Sequence, residues 1–259
     1  SDPPTLASQV FGLQQKPGCL VPNFKMNSKY REKTRFGVLP GTISIAIREP
    51  GSAITHFIGL ILLWIGAGPL IQRSIEHGGR ITAVSMFVFV LSTTLLYAAS
   101  TLYHSVVLDL KKTLIFRKID HIMISVLIAG TYTPVCLTAL KGKTGYFLLA
   151  AIWLLAVGGI ILKILFVSCP KWLSSAIYLI MGWLCIFALK PLFKALPLSG
   201  FLWLLFGGIA YTLGAIIYAF KLKAFNEKHI YFGSHEIFHI FIMIGTFCHY
   251  MLLFNILSF

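Results

Sequence analysis

An all-α membrane protein, a bundle of seven transmembrane helices with its N-terminus inside, is the fold class this sequence predicts, and three observations predict it. Hydrophobic residues make up 57% of the 259 and charged residues only 12%, with a mean hydropathy of +0.83. That leaves too little polar surface to coat a water-soluble globule. After Pro50 the chain divides into seven apolar stretches, each long enough to cross about 30 Å of hydrocarbon at about 20 residues per helix. The connections between them are short, which makes consecutive helices antiparallel neighbours in one bundle.

Taken in order, residues 1–50 differ in kind from the rest: polar, basic, rich in Pro and Gly, without a helix-length apolar run or a signal-peptide hydrophobic region. They read as a flexible basic N-terminal segment, of which residues 1–25, ahead of Met26, read as an extension. A single seven-span domain, 51–259, follows, with no internal repeat. Charges and Gly/Pro breaks place the spans at 52–72, 81–108, 119–140, 145–167, 173–193, 198–220 and 234–257. Lys190, Pro191 and Lys194 crowd the end of the fifth, which is the least regular. In the third span, Tyr132, Thr133 and Pro134 are expected to kink the helix and free carbonyls for a neighbouring helix to satisfy.

A net charge of +14 and a pI near 9.7 raise the possibility of nucleic acid, but a chain with many spans carries its basic residues in loops. There they set orientation and meet anionic headgroups. The partners expected are membrane lipids and not nucleic acid. One set of alternate loops, with the N-terminal segment, holds 14 Lys and Arg beyond Lys16 and Lys25, and the other set holds 6. This bias places the N-terminus in the cytoplasm and the C-terminus outside. The five cysteines, Cys19, Cys136, Cys169, Cys185 and Cys248, show no CxxC spacing and imply no disulfide framework.

Ionisable residues inside spans are costly in lipid and are functional candidates by default. His235 and His239, in "HEIFH", stand one helical turn apart in the H-E-x-x-H pattern that zinc proteases carry. With the orientation above, their end of the seventh span is cytoplasmic. Ser100 and His104 fall in the inner third of the second span, Asp120 and His121 at the inner mouth of the third, and His56 a turn or two into the first. Three imidazoles, His104, His235 and His239, with a carboxylate from Asp120, form the ligand set plus open position expected of a catalytic zinc. Zinc so held lowers the pKa of water toward about 7 and polarises a carbonyl. Asp120 would then serve as general base, or as a fourth ligand. Ser100 could hydrogen-bond the water or a developing oxyanion, or else its own i−4 carbonyl. A protease of the H-E-x-x-H type needs a further ligand in a Gly-rich aspartate segment, which is absent here, so Glu236 reads as an interfacial charge. His121 faces away from Asp120, His56 is an outer-shell or core residue, and His249, about 15 Å along the helix from His239, is core.

Ser100-x-x-x-His104, Asp120, the "GTYTP" of 130–134, His235-x-x-x-His239 and the "EPGSAITH" of 49–56 together resemble the bacterial hemolysin III family over about residues 45–259. That family is kin to the progestin and adipoQ receptors and, more distantly, to the alkaline ceramidases. The resemblance implies a bacterial cytoplasmic-membrane protein with zinc on the three histidines, as in the adiponectin receptors, where the aspartate helps to hold a water. It also implies metal-dependent hydrolysis, with lipid amides as the substrate class of some relatives, and the family name records a lytic activity. Two function classes follow. One is a zinc hydrolase of a lipid amide or ester reached laterally from the bilayer. The other is a non-enzymatic receptor, pore or membrane-homeostasis protein in which zinc staples the second and seventh spans.

Overall fold

Among the described residues of the computed structural model, 47–165, 171–220, 222–229 and 232–258, every regular element is helical. The expected flexible segment lies outside these residues except for Ile47 to Pro50. Helix α1 (Pro50–Arg73) starts at Pro50, whose missing N–H would have had no partner in the first turn. One π-helical turn, Ser74–Gly78, extends it. At Gly79, with φ 75°, the chain reverses into α2 (Gly79–Ser105). Only glycine takes that φ without strain. The apolar run of 56 residues from Pro50 to Ser105 is therefore two antiparallel crossings. At their other end the Arg48 and Glu49 amides donate to the carbonyls of Ser105 and His104 at 3.3 and 2.9 Å.

Asp109 caps α3 (Leu110–Pro134) by accepting from the Lys112 amide at 2.9 Å, and a π turn, Val135–Ala139, ends the span. The fourth span is α4 (Lys143–Leu165). The fifth is composite: α5 (Lys171–Gly182), a 3₁₀ stretch Trp183–Ala188, and α6 (Leu189–Ala195). Then come α7 (Leu198–Phe220), the short α8 (Lys223–Lys228), and α9 (Ser234–Leu252), which ends in the π turn Leu253–Leu257. Contacts run α1–α2–α3–α4–α5–α7–α9 and back to α1, with α5 also against α3. This is a closed ring of seven crossings, the fold class the sequence predicts.

Large side chains inside the ring, Phe89, Tyr97, Leu70 and Met86, are fully buried. Outside it, Phe147, Leu154, Phe187 and Phe220 are 78%, 72%, 84% and 76% exposed. An apolar surface on that scale is tolerable only where the surrounding medium is hydrocarbon. Small residues set the helix spacing. A Cβ on Gly130 of α3 would lie 1.9 Å from the Ser92 hydroxyl of α2, and one on Gly245 of α9 would lie 2.3 Å from the Tyr211 ring of α7.

Two local expectations need correction. The segment holding Lys111, Lys112, Arg117 and Lys118, read as a loop, forms the first turns of α3. The Asp109 cap starts the helix early, and the basic side chains lie along it, with the Lys118 ammonium donating to the Ile164 carbonyl at 3.0 Å. Asp120 consequently sits ten residues, about 15 Å, from the start of α3. The second correction concerns Tyr132. The third span does pass from α to π hydrogen bonding directly after Pro134, but the 3₁₀ backbone lies in the fifth span, where Pro191 supplies no amide to the preceding turn. Tyr132 satisfies it, donating to the Gly182 carbonyl at 2.6 Å and accepting from the Cys185 amide at 2.9 Å. The third span thus supports its neighbour through Tyr132.

The basic residues predict the placement of this bundle in the membrane. A reporter fused after Phe259 is expected to be active only when it reads the outer side, because the loops on the N-terminal side hold the excess of Lys and Arg. A fusion active only in the cytoplasm would invert the topology.

Candidate metal centre

The end of the bundle where α2 finishes, α1 begins and α9 begins gathers the histidines. His104 is in the last turn of α2, just before Val106 turns extended and breaks the helix. His235 and His239 occupy the first two turns of α9, one turn apart on the same face. That helix starts where it does because its free amides are taken up. Gly233 N–H donates to the Glu236 carboxylate at 2.8 Å and Ser234 N–H to the Asn226 side-chain oxygen at 2.7 Å.

His104 and His239 are buried, and His235 is partly so. The ring centroids lie 5.0 Å (His104–His235), 5.3 Å (His104–His239) and 4.5 Å (His235–His239) apart. The Nε2 atoms of His104 and His235 are 3.2 Å apart, and ligand atoms of all three residues fall within 4.8 Å of one another. Two nitrogens held about 2.0–2.1 Å from a tetrahedral zinc stand roughly 3.3–3.4 Å apart. The donor set fits a metal ion of that kind. Among the described residues no carboxylate or cysteine joins this set.

The other ring nitrogens are engaged by α1. His104 Nδ1 donates to the Glu49 carboxylate. His239 Nδ1 lies 3.0 Å from the Thr55 hydroxyl oxygen and 3.2 Å from the Ser52 carbonyl, and the Thr55 hydroxyl itself donates to that carbonyl at 2.9 Å. With the proton fixed on Nδ1, each of these rings presents a bare Nε2 lone pair to the centre, the arrangement that orients metal-binding imidazoles. Glu49 is free to do this because it precedes Pro50. The residue before proline is kept out of the helical region, and Glu49, at φ −137° and ψ 82°, makes no cap bond to its own helix. Arg48, with its guanidinium 4.0 Å from the Tyr103 ring centre and its Nε 3.7 Å from Glu49, steadies the carboxylate.

Asp120 is buried and faces both His104 and the Ser100 hydroxyl. It remains outside the set of mutually close ligand atoms. Ser100 is fully buried, and its hydroxyl bonds no carbonyl of its own helix, unlike Ser74, Thr82 and Thr93. His56 stacks face to face on His239, with centroids 3.7 Å apart and planes 9° apart, and also lies 5.0 Å from the Tyr97 ring. The His121 side chain lines the cavity that opens from this centre, while its carbonyl accepts from the Tyr178 hydroxyl at 3.0 Å. Glu236, read as an interfacial charge, is a structural acceptor: besides the Gly233 amide it takes the Ser52 hydroxyl and so ties α9 to α1. Sequence reasoning missed Glu49, Ser52, Thr55 and Asn226. Only the first three had a signal, their place in the "EPGSAITH" stretch beside a candidate histidine.

From this centre an elongated cavity of about 150 Å³ runs up the bundle between α3, α5, α7 and α9. His56, Asp120, His235 and His239 line its lower end, while Leu192 and Phe201 line the far end.

Removing the Glu49 carboxylate with Glu49→Ala is expected to weaken metal binding by about 10- to 100-fold, the usual worth of such a partner. Competition against a chelator of known affinity reads it out. Wild-type affinity in the variant would show that the contact to His104 is idle.

Comparison with known proteins bears out the family resemblance. The profile of the family described as haemolysin-III related matches residues 45–250. Over 198 residues the chain is 43% identical to the hemolysin-3 homolog of Bacillus subtilis (strain 168), covering 76% of this chain and 89% of that one. It is 44% identical over 198 residues to the hemolysin-3 of Bacillus cereus, covering 76% and 86%. No solved structure matches the chain.

Proposed function

Because this chain belongs to the haemolysin-III related family and is an integral membrane protein with a histidine triad that could hold a metal, we propose that it is a zinc-dependent hydrolase. Its substrate would be a lipid amide or ester, and its site would lie near the inner face of the bacterial cytoplasmic membrane. The observation that carries this reading is the triad's setting. Three ligands converge beside a buried carboxylate, at one end of an apolar cavity. A metal that merely staples helices is enclosed by four protein ligands, whereas three leave a position open.

When bound, zinc supplies a Lewis acid for the substrate carbonyl and brings the pKa of water near 7. The chain's own residues do the rest. Glu49 and the Ser52–Thr55 pair hold His104 and His239 in the ligand tautomer. Asp120, facing the site, takes the proton of the attacking water on its carboxylate and returns it to the departing amine or alcohol as the carbonyl C–N or C–O bond breaks. Ser100 lies near Asp120, and its buried hydroxyl, which makes no hydrogen bond of its own, is available to the carboxylate or to the substrate oxygen. Leu96, Ile124 and Leu127 on the cavity wall pack against the lipid chain and exclude bulk water.

Purified protein incubated with a panel of ceramide-like amides, lysolipids and phospholipids is expected to release fatty acid from at least one member, with about one equivalent of zinc per chain. Zinc without release from any member would favour the non-enzymatic receptor, pore or homeostasis class.

A further inference from the structure

One turn of α1 grips His239 with three different groups. Ser52, Thr55 and His56 stand at i, i+3 and i+4, so they share a face of that helix. The Ser52 carbonyl and the Thr55 hydroxyl meet His239 Nδ1 at 3.2 and 3.0 Å. Those two contacts fix where Nδ1 sits but leave the ring plane free to tilt about it. The third group lies flat on the ring: His56 and His239 have centroids 3.7 Å apart and planes 9° apart. His56 is buried, and neither of its nitrogens has a hydrogen-bond partner among the described residues. Its ring is held instead by other rings, His239 and the buried Tyr97, whose centroid is 5.0 Å away. A Cβ on Gly59, nearly one turn further along α1, would lie 3.0 Å from the Tyr97 ring, so glycine there lets Tyr97 lie close beside His56.

Carbon atoms in contact stand about 3.5–4.0 Å apart, so the short centroid separation leaves little lateral offset between the two imidazoles. Two neutral rings avoid such overlap, because like quadrupoles repel face to face, and they prefer offset or edge-on arrangements at about 4.5–7 Å. The overlap becomes attractive when one ring is electron-poor, as an imidazole is while its nitrogen binds a metal cation. The electrostatics are then those of a cation over an aromatic face. We propose that His56 is a positioning residue of the metal centre, whose aromatic face fixes the plane of His239 and is drawn to that ring most strongly when the ring carries zinc. The proposal rests on the reading of the triad as a zinc site. His56 is not itself a ligand, since the ligand atoms that converge are those of His104, His235 and His239. It acts through its face and not through its nitrogens.

Three variants of the full chain separate face, nitrogens and bulk. His56→Phe keeps an aromatic face and removes both nitrogens, whereas His56→Leu and His56→Met keep apolar bulk and remove the face. Zinc affinity is read by competition against a chelator of known affinity, and the geometry of the ligand shell by the visible absorption of the cobalt(II)-loaded protein. His56→Phe is expected to match wild type in both. His56→Leu and His56→Met should bind zinc about tenfold more weakly, within the range of an outer-shell partner or a ring–cation contact, and give an altered cobalt spectrum. A loss in His56→Phe as large as in the other two would place the role in the ring nitrogens and overturn the proposal. Wild-type affinity and spectrum in His56→Leu and His56→Met, even with a lowered metal-free melting temperature, would reduce His56 to packing and also overturn it, while leaving the metal centre standing. A wild type that binds neither zinc nor cobalt would sink the metal centre and the proposal together.

Discussion

Replacing His235 and His239 together by alanine is expected to empty the metal centre and to reduce hydrolysis to background. The two residues supply two of the three close ligand nitrogens, and His104 alone cannot hold an ion against a chelator. Loss of the ion also removes the stabilisation it gives the folded bundle. At a free zinc concentration a thousandfold above its dissociation constant, binding to the folded state adds about 4 kcal/mol. Wild type should therefore melt several degrees higher with zinc than after chelation, and the double variant should melt at one temperature in both conditions. Correct insertion is checked by the same reporter fusion that reads topology. Equal zinc content in wild type and variant would remove the site from consideration.

The second large effect concerns Asp120. Asp120→Asn is expected to keep zinc at the wild-type stoichiometry and to slow hydrolysis by about 10²- to 10⁴-fold, the usual contribution of a positioned acid or base. The geometry supports retention, since the three imidazoles meet without the carboxylate, which faces the site from α3 beside Ser100. Asparagine preserves the shape and the acceptor oxygen but cannot take up a proton. If Asp120 were a fourth ligand, the same substitution would lower zinc content and melting temperature together, because the binding energy of a structural metal is folding energy. The pairing of zinc stoichiometry with rate separates a base from a ligand in one experiment.

The bundle was legible because its determinants are local and repetitive. Runs of about 20 apolar residues, the breaks at Gly79 and Pro197, and loop charges mark the crossings without reference to packing. The triad was legible for a different reason: His104, His235 and His239 are rare ionisable residues in apolar surroundings, and a charge-based topology brings their ends together. What stayed hidden depends on side-chain direction. Glu49 sits outside any helical periodicity, and its aim at His104 follows from the backbone that Pro50 imposes and from the pairing of Glu49 with His104 where α1 begins and α2 ends. Glu236 looks like one more interfacial charge until the helix start at Ser234 makes it the acceptor for Gly233. The basic turns of α3 were read as loop because hydropathy registers where a helix leaves the membrane and not where it ends. The direction of support between Tyr132 and the fifth span was also beyond reach, since either helix could have been the irregular one. His56 could be placed only as an outer-shell or core residue, because the stacking of its ring on His239 depends on side-chain direction as well.

X-ray absorption at the zinc edge of the purified protein tests the central claim most directly, because it counts the ligands and measures their distances. A catalytic centre on His104, His235 and His239 predicts three imidazole nitrogens at about 2.0–2.1 Å plus one light oxygen ligand that exchanges for added anions. The imidazole signature should be lost in His235→Ala/His239→Ala. A shell of four protein ligands that no small anion perturbs, or a protein that binds no zinc, would contradict the account.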